Sequence, residues 1–297
     1  MSSRKFLETL GSYLPALLVR QLEDGAREGA AQAVVPRREN FHSVCLFADI
    51  SGFTKMASEL DAETLAKHLN SYFSQMTVII NKEGGDIFKF AGDAMVVLWE
   101  INPAAASSAS QSALSSSSTV TTAGADATVE TQTRRATQCA CALQHYLNDA
   151  MLDENVSLSM SIGISVGQVS VVHIGGTLRR YEYLAVGEPL VQAYAAEALA
   201  QKGEVVLSES AWREATRSGD NFRAQRMLAD GFVALDLEAG NHTRLKPPKR
   251  AIRRFDALDV DDAVYEKALR SYVPGALFPG LSRDSPEDDH WSSEPTA

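Results

Sequence analysis

Two aspartates stand where a carboxylate is costly unless something compensates its charge. Asp49 directly follows an apolar run, VCLFA at 44–48, which is typical of a short buried strand, and Ser-Gly then breaks the pattern. Asp93 separates the two apolar runs of DIFKFAGDAMVVLW at 86–99, which predicts a β-hairpin with Asp93 in or beside its turn. If the hairpin lies beside the first strand, both carboxylates meet at one edge and repel unless a cation lies between them.

All-oxygen ligation by few protein groups suits Mg²⁺, with Mn²⁺ as an alternative, because Mg²⁺ keeps waters and takes other ligands from phosphates. The SGFT segment at 51–54 is predicted to open a helix whose backbone N–H groups hold a triphosphate. Two metal ions, about 3.5–4 Å apart, would activate an attacking oxygen and neutralise a leaving pyrophosphate. Lys89, on the same hairpin as Asp93, is expected to face the nucleotide. The residues together predict a nucleotide site.

The elements that position these residues follow from the hydrophobic pattern. Apolar residues recur at helical spacing from 61 to 82 and from about 132 to 150, and they alternate as in a half-buried strand over 158–167. The remaining predicted elements are strands at 168–174, 180–186 and 204–207, and a helix at 188–202. The order strand, helix, hairpin, helix, strand predicts an α+β fold, with a ferredoxin-like βαββαβ core and additional strands and helices.

Composition divides the chain further. Residues 103–130 are small and polar without periodicity, which predicts a disordered insertion. A further short helix is expected at 262–272. The predicted regions are a helical lead-in at 1–39, the domain with both aspartates at 40–215, its C-terminal extension at 216–250, and a linker or tail at 251–297.

Charge and composition exclude several classes of protein. The formal net charge is −10, and no basic tract precedes KPPKRAIRR at 246–254, so nucleic acid is not an expected partner. The most apolar early segment, 6–22, is too short to span a membrane and lacks the features of a signal peptide. The three cysteines have the spacing of neither a zinc site nor a disulfide framework. We therefore expect a cytoplasmic protein without a membrane span.

Four segments together resemble the catalytic domain of a class III nucleotidyl (adenylyl or guanylyl) cyclase, over about residues 40–210. They are FADISGFT at 47–54, EGGDIFKFAGDAMVVLW at 83–99, ISVGQVSVVHIGG at 164–176 and YLAVGEPL at 183–190. AGDAMVVLW and the lead-in GSYLPALLVRQLE are most similar to the first cyclase half of the bicarbonate-responsive soluble adenylyl cyclases. GGDIF at 84–88 also resembles the GGDEF signature of diguanylate cyclases, but that motif occupies a hairpin turn, and here AGD takes the turn.

The resemblance implies roles for individual residues. The implied metal ligands for two ions are Asp49, the Ile50 carbonyl and Asp93. The implied phosphate-binding residues are Ser51, Gly52, Phe53 and Thr54, through their backbone. Lys89 matches the lysine that selects the base in this family. The resemblance also implies a head-to-tail pair of cyclase domains, with each active site lying across the interface.

Three positions depart from the family pattern. Leu184 stands at the second base-reading position, Val191 at the ribose-orienting asparagine and Ala195 at the transition-state arginine. A homodimer of this chain would therefore lack the complementary half of the active site. Losing even one charge-stabilising donor lowers the reaction rate by a factor of about 10²–10³. We therefore predict the metal-bearing half of an adenylyl cyclase, which converts ATP to 3′,5′-cyclic AMP and pyrophosphate with a second cyclase domain from the same parent polypeptide. The alternative is a catalytically inactive cyclase-homology module that binds nucleotide or a partner and regulates. Tyr194 stands where the bicarbonate-responsive relatives have an arginine.

Overall fold

The computed structural model describes residues 3–27, 37–101, 128–148, 150–153, 156–177, 180–219, 222–238 and 262–273. The chain forms two compact units. The larger comprises Arg38–Val172 and Leu184–Ile252, and the smaller comprises Met1–Arg37, His173–Tyr183 and Arg253–Ala297. The domain bounds expected from the sequence stay a prediction. Residues 102–127, which hold most of the predicted insertion, lie outside the described residues, as do 239–261 and 274–297 of the extension and tail.

The secondary structure alternates helices with strands. In chain order the helices are α1 (Ser3–Gly11), α2 (Ala16–Arg27), α3 (Phe53–Glu59), α4 (Ala62–Lys82), α5 (Val129–Leu147), α6 (Glu188–Leu199), α7 (Glu209–Ala215) and α8 (Asp262–Arg270). In chain order the strands are β1 (Arg37–Ser51), β2 (Asp86–Ala91), β3 (Ala94–Ile101), β4 (Ala150–Asp153), β5 (Val156–Gly175), β6 (Tyr181–Val186), β7 (Val205–Leu207), β8 (Ala224–Met227) and β9 (Val233–Leu235).

In the described part of the chain, the strands form one mixed sheet of nine strands. The order is β2-β3-β1-β5-β7-β9-β8, and β4 and β6 both pair with β5. β3 pairs antiparallel with β1 and β2, whereas β5 pairs parallel with β7. The segment β2-β3-β1-β5, with α4 and α5 as connections, is the ferredoxin-like βαββαβ core. The α+β fold predicted from the sequence is confirmed.

Local signals place most boundaries close to those predicted. Asp61 caps α4, because its carboxylate accepts hydrogen bonds from the backbone N–H of Glu63 at 3.0 Å and of Thr64 at 3.1 Å. Thr128 caps α5 in the same way, accepting from the Thr131 N–H at 3.1 Å. The cap explains why α5 begins three residues before the predicted start, within the segment read as an insertion.

One predicted break between two strands is absent from the structure. The segments read as two strands, at 158–167 and 168–174, form the single strand β5. Gly167 makes no turn there. Instead, a β-carbon at Gly167 would lie 2.8 Å from Cγ of Pro189, so the glycine makes room for the start of α6. A glycine that looks like a break in the sequence therefore serves packing.

The core of the larger unit lies between one face of the sheet and helices α4 and α5. Alternate residues of β1, from Val44 to Ile50, point into this core, together with Met76 of α4 and Leu143 of α5. All three cysteines are free and buried. Burial raises the pKa of each of these thiols, that of Cys141 to about 12, so they stay protonated and act as packing residues.

The smaller unit packs α1, α2 and α8 around a separate apolar cluster that includes Leu10, Leu22 and Leu269. Its interior also contains a buried histidine, His173, whose ring nitrogens contact the Tyr272 hydroxyl at 2.7 Å and Gln21 Oε1 at 3.2 Å. The helical lead-in forms two helices, and Pro15 lies between them. In the part of the chain that the structure describes, no helix has the length and apolar character to cross a membrane.

Candidate functional site

The pairing of β1 with β3 brings the two aspartates together. Asp49 lies opposite Ala94, the first residue of β3, in the antiparallel register. The next residue along, Ile50, donates its backbone N–H to the carbonyl oxygen of Asp93 at 3.2 Å. The hairpin turn is thus held against the end of β1. The adjacency that the sequence predicted for Asp49 and Asp93 is present in the structure.

The electrostatics of the pair show the expected repulsion. Burial, and secondly the negative charge of Asp93, raise the pKa of the half-buried Asp49 carboxyl above its usual value. A raised pKa means that the folded protein resists holding both carboxylates ionised. A cation between them would remove this penalty and favour both charged forms.

The donor set at this edge of the sheet consists of oxygen atoms. Among the residues that the structure describes, no group of three or more His, Cys, Asp or Glu side chains is placed to hold a metal ion. Two carboxylates do not form a complete protein cage of the kind that Ca²⁺ or structural Zn²⁺ takes. They fit an ion such as Mg²⁺ or Mn²⁺, which takes its remaining ligands from water and phosphate.

The SGFT segment turns sharply beside Asp49. Gly52 has φ of 102°, in the left-handed region, and a β-carbon there would lie 2.6 Å from the carbonyl oxygen of Ser157. Only glycine meets both conditions. Helix α3 follows as predicted and is only seven residues long. Phosphate binding by the backbone of 51–54 stays a prediction.

Lys89 lies on the same face of the sheet as Asp49. It pairs with Val96 of β3, which in turn pairs with Phe47 of β1. Residues directly opposite each other on paired strands project to the same side, and Asp49 is two residues beyond Phe47. The half-buried lysine therefore stands two strands from Asp49 across one surface. Its contact with a nucleotide stays a prediction.

The positions that depart from the cyclase pattern lie on β6 and α6. Two of them, Leu184 and Val191, are exposed apolar side chains, as are Val186 and Tyr194 on the same two elements, and these four are 42–58% exposed. Ala195 instead packs beside the small cluster around Ala196. The side chains of Leu184, Val191 and Ala195 supply no polar group that could orient a ribose or neutralise a phosphate.

Sequence reasoning missed Glu197, near the end of α6. Burial, and secondly the Asp49 carboxylate, raise the pKa of Glu197. The sequence placed Glu197 one helical turn beyond Tyr194, but it gave no sign that α6 lies over β1. The structure thus adds a third carboxylate to the surroundings of Asp49.

Comparison with known proteins agrees with this geometry. The family described as "Adenylate and Guanylate cyclase catalytic domain" matches residues 37–227. The chain is 27% identical over 191 residues to adenylate cyclase type 10 of Rattus norvegicus, and 26% identical over 191 residues to that of Homo sapiens. These matches cover 62% of this chain and 10% of each relative, so the chain spans about a tenth of their length.

A solved structure supports the fold. The crystal structure of the adenylyl cyclase CyaB from P. aeruginosa has a TM-score of 0.50 and 22% sequence identity, and the match covers 67% of this chain and 94% of that one. At this identity the likeness concerns the fold alone. The family match covers more than half of the residues, so it establishes the family as well as the fold. The chain belongs to the family of adenylate and guanylate cyclase catalytic domains.

Proposed function

We propose that the chain is the metal-bearing half of an adenylyl cyclase, which converts ATP to 3′,5′-cyclic AMP and pyrophosphate when it pairs with a complementary cyclase domain. The observation that carries the proposal is the meeting of Asp49 and Asp93 at the end of β1, in a chain of the cyclase family. When bound, two Mg²⁺ or Mn²⁺ ions supply an activated attacking hydroxyl and charge neutralisation on the triphosphate.

The residues of the chain have distinct tasks in this proposal. Asp49 and Asp93 hold the ions, with the Ile50 carbonyl as a further oxygen ligand. The backbone at 51–54 holds phosphate oxygens, and Lys89 faces the base. The rigid pairing of β1 with the hairpin fixes the two carboxylates relative to each other before substrate arrives, which lowers the reorganisation needed in the reaction.

ATP is the proposed substrate because the relatives with the matches given above are adenylate cyclases. In this proposal the partner supplies most of the base and ribose recognition, because Leu184 and Val191 offer no polar group for it. We also propose that the protein is cytoplasmic, since three buried free thiols are typical of a reducing compartment.

The need for a second cyclase domain is supported by the large apolar side chains that stay exposed on β6 and α6, namely Leu184, Val186, Val191 and Tyr194. A partner domain that covers these two elements would remove these side chains from water. Val191 and Ala195 also leave no polar group at the positions where catalysis needs one. We propose that the partner is part of the same parent polypeptide, and that it supplies the asparagine and arginine that this chain lacks.

The apolar residues Val191 and Ala195 also favour a second function. A chain without polar groups at Val191 and Ala195 could regulate a partner without catalysis. In that case Asp49 and Asp93 would serve nucleotide binding alone.

Complementation separates the two functions. The chain is mixed with a cyclase domain that has the asparagine and arginine but lacks the metal-binding aspartates, and cyclic AMP formed from Mn²⁺–ATP is measured. We expect little activity from either domain alone and clear activity from the mixture. Asp49→Ala should abolish the restored activity, and Val191→Ala, the matched control, should retain it.

Two outcomes contradict the proposal. Rapid turnover by the purified chain alone, proportional to its concentration and unaffected by a partner, would show a complete enzyme. Absence of cyclic AMP with the domain from the same parent polypeptide, although the two domains associate, would favour the regulatory function.

A further inference from the structure

Helix α6 rests directly on the strand next to β1. A β-carbon placed on Gly163 of β5 would lie 2.0 Å from the carbonyl oxygen of Ala193 and 2.4 Å from the backbone nitrogen of Glu197. Both contacts are to main-chain atoms of α6, so the helix backbone lies against the bare backbone of β5. β5 is the neighbour of β1 in the sheet. The last turn of α6 is therefore fixed close to β1.

One side-chain contact sets the register between α6 and β1. The ring of Tyr194 packs edge-on against the ring of Phe47, with centroids 4.2 Å apart. Glu197 lies one helical turn beyond Tyr194, about 4.5 Å along α6, and Asp49 lies two residues beyond Phe47 on the same face of β1. The contact between Tyr194 and Phe47 therefore brings the part of α6 that carries Glu197 onto the face of β1 that carries Asp49.

The electrostatics agree with this placement. After burial, the negative charge of Asp49 is the second cause of the raised pKa of Glu197. The Glu197 carboxylate has no hydrogen-bond or ion-pair partner among the described residues. A half-buried, unpaired carboxylate next to another carboxylate costs stability in the absence of a cation.

We propose that Glu197 is a third acidic residue of the cation site, which strengthens divalent-cation binding at Asp49 and Asp93 through its charge and not as a ligand. The inference rests on the proposed function, in which these aspartates hold the metal ions. The described part of the chain places no three acidic, histidine or cysteine side chains for direct coordination, so Glu197 acts through space. Its negative charge offsets part of the four positive charges of two divalent ions.

The test measures Mn²⁺ binding to the whole chain by calorimetry, without nucleotide or partner. Glu197→Gln, which keeps the shape and removes the charge, is expected to raise the Kd about threefold to tenfold at low salt. The ratio of the two Kd values should fall towards one as ionic strength rises from about 0.01 M to about 1 M, since the Debye length shrinks from about 30 Å to about 3 Å. Glu197→Asp should keep most of the affinity.

Glu188→Gln is the matched control, because Glu188 lies exposed at the opposite end of α6. Its Oε1 accepts a hydrogen bond from Nε2 of Gln192 at 2.8 Å. Glu188→Gln should leave the Kd unchanged. Asp49→Asn tests the metal site itself and should weaken binding more than Glu197→Gln.

The outcomes separate this inference from the proposed function. If Asp49→Asn weakens binding and Glu197→Gln does not, the metal site stands and the role of Glu197 is wrong. If neither change weakens binding, the metal site of the proposed function fails. A loss in Glu197→Gln that is equal at all salt concentrations would show a structural effect, and this too would overturn the role of its charge.

Discussion

Gly163→Ala should destabilise the larger unit, because the new methyl group would enter the backbone of α6. The β-carbon would meet Ala193 O at 2.0 Å and Glu197 N at 2.4 Å, and it would also lie 3.0 Å from Cβ of Ala196. The shortest of these distances is about 1.4 Å less than an ordinary contact of 3.4 Å. Main-chain atoms within a helix cannot rotate away, so α6 as a whole must move off β5.

The size of the effect follows from the kind of clash. Overpacking a core typically costs about 1–3 kcal/mol, and a clash with two backbone atoms belongs at the upper end, about 3 kcal/mol. For a unit of this size, each kcal/mol shifts Tm by about 2–4 °C, so Tm should fall by about 6–12 °C. Since α6 carries Glu197, the same change should weaken Mn²⁺ binding.

Thermal unfolding followed by circular dichroism measures this loss. Gly11→Ala is the control, because the nearest atom to its β-carbon, Cγ2 of Val19, would be at an ordinary 3.7 Å. Gly11 ends a helix, where alanine is neutral or stabilises by up to about 1 kcal/mol. A fall in Tm of less than about 3 °C for Gly163→Ala would refute the close contact between α6 and β5, and with it the position of Glu197.

Two further predictions concern charge and chain length. The folded-state pKa of Asp49 is raised, so its ionised form destabilises the metal-free protein at neutral pH, and this penalty disappears as the pH falls through that pKa. In EDTA, Asp49→Asn should therefore raise Tm by about 1–4 °C near pH 7.5 and by less near pH 4, and an unchanged Tm at both would contradict the repulsion. Replacing residues 103–127 with a short Gly/Ser linker should change Tm by less than about 3 °C, because loop closure entropy changes by only about 0.6 kcal/mol per doubling of length. The replacement stops at 127 because Thr128 caps α5, and a fall of more than about 8 °C would show that the segment is packed.

The sequence by itself determined the elements and the first pair of site residues. The run before Asp49, the hairpin around Asp93 and the helix capped by Asp61 are local patterns, and local patterns fix secondary structure and the buried face of each element. Once the hairpin is placed beside the first strand, the two carboxylates meet. The α+β core and the adjacency of Asp49 and Asp93 were therefore predictable before any tertiary structure was known.

Only the tertiary structure shows which element lies over Asp49 and Asp93. Gly163 and Gly167 look alike in the sequence, because both are small residues in a strand. In the structure the backbone of α6 packs against Gly163, whereas the ring of Pro189 packs against Gly167. Glu197 is distant from Asp49 along the chain, and its proximity depends on which helix packs on which strand and in what register. Periodicity shows that a face is buried but not which element covers it, because that choice depends on the fit of surfaces far apart in sequence.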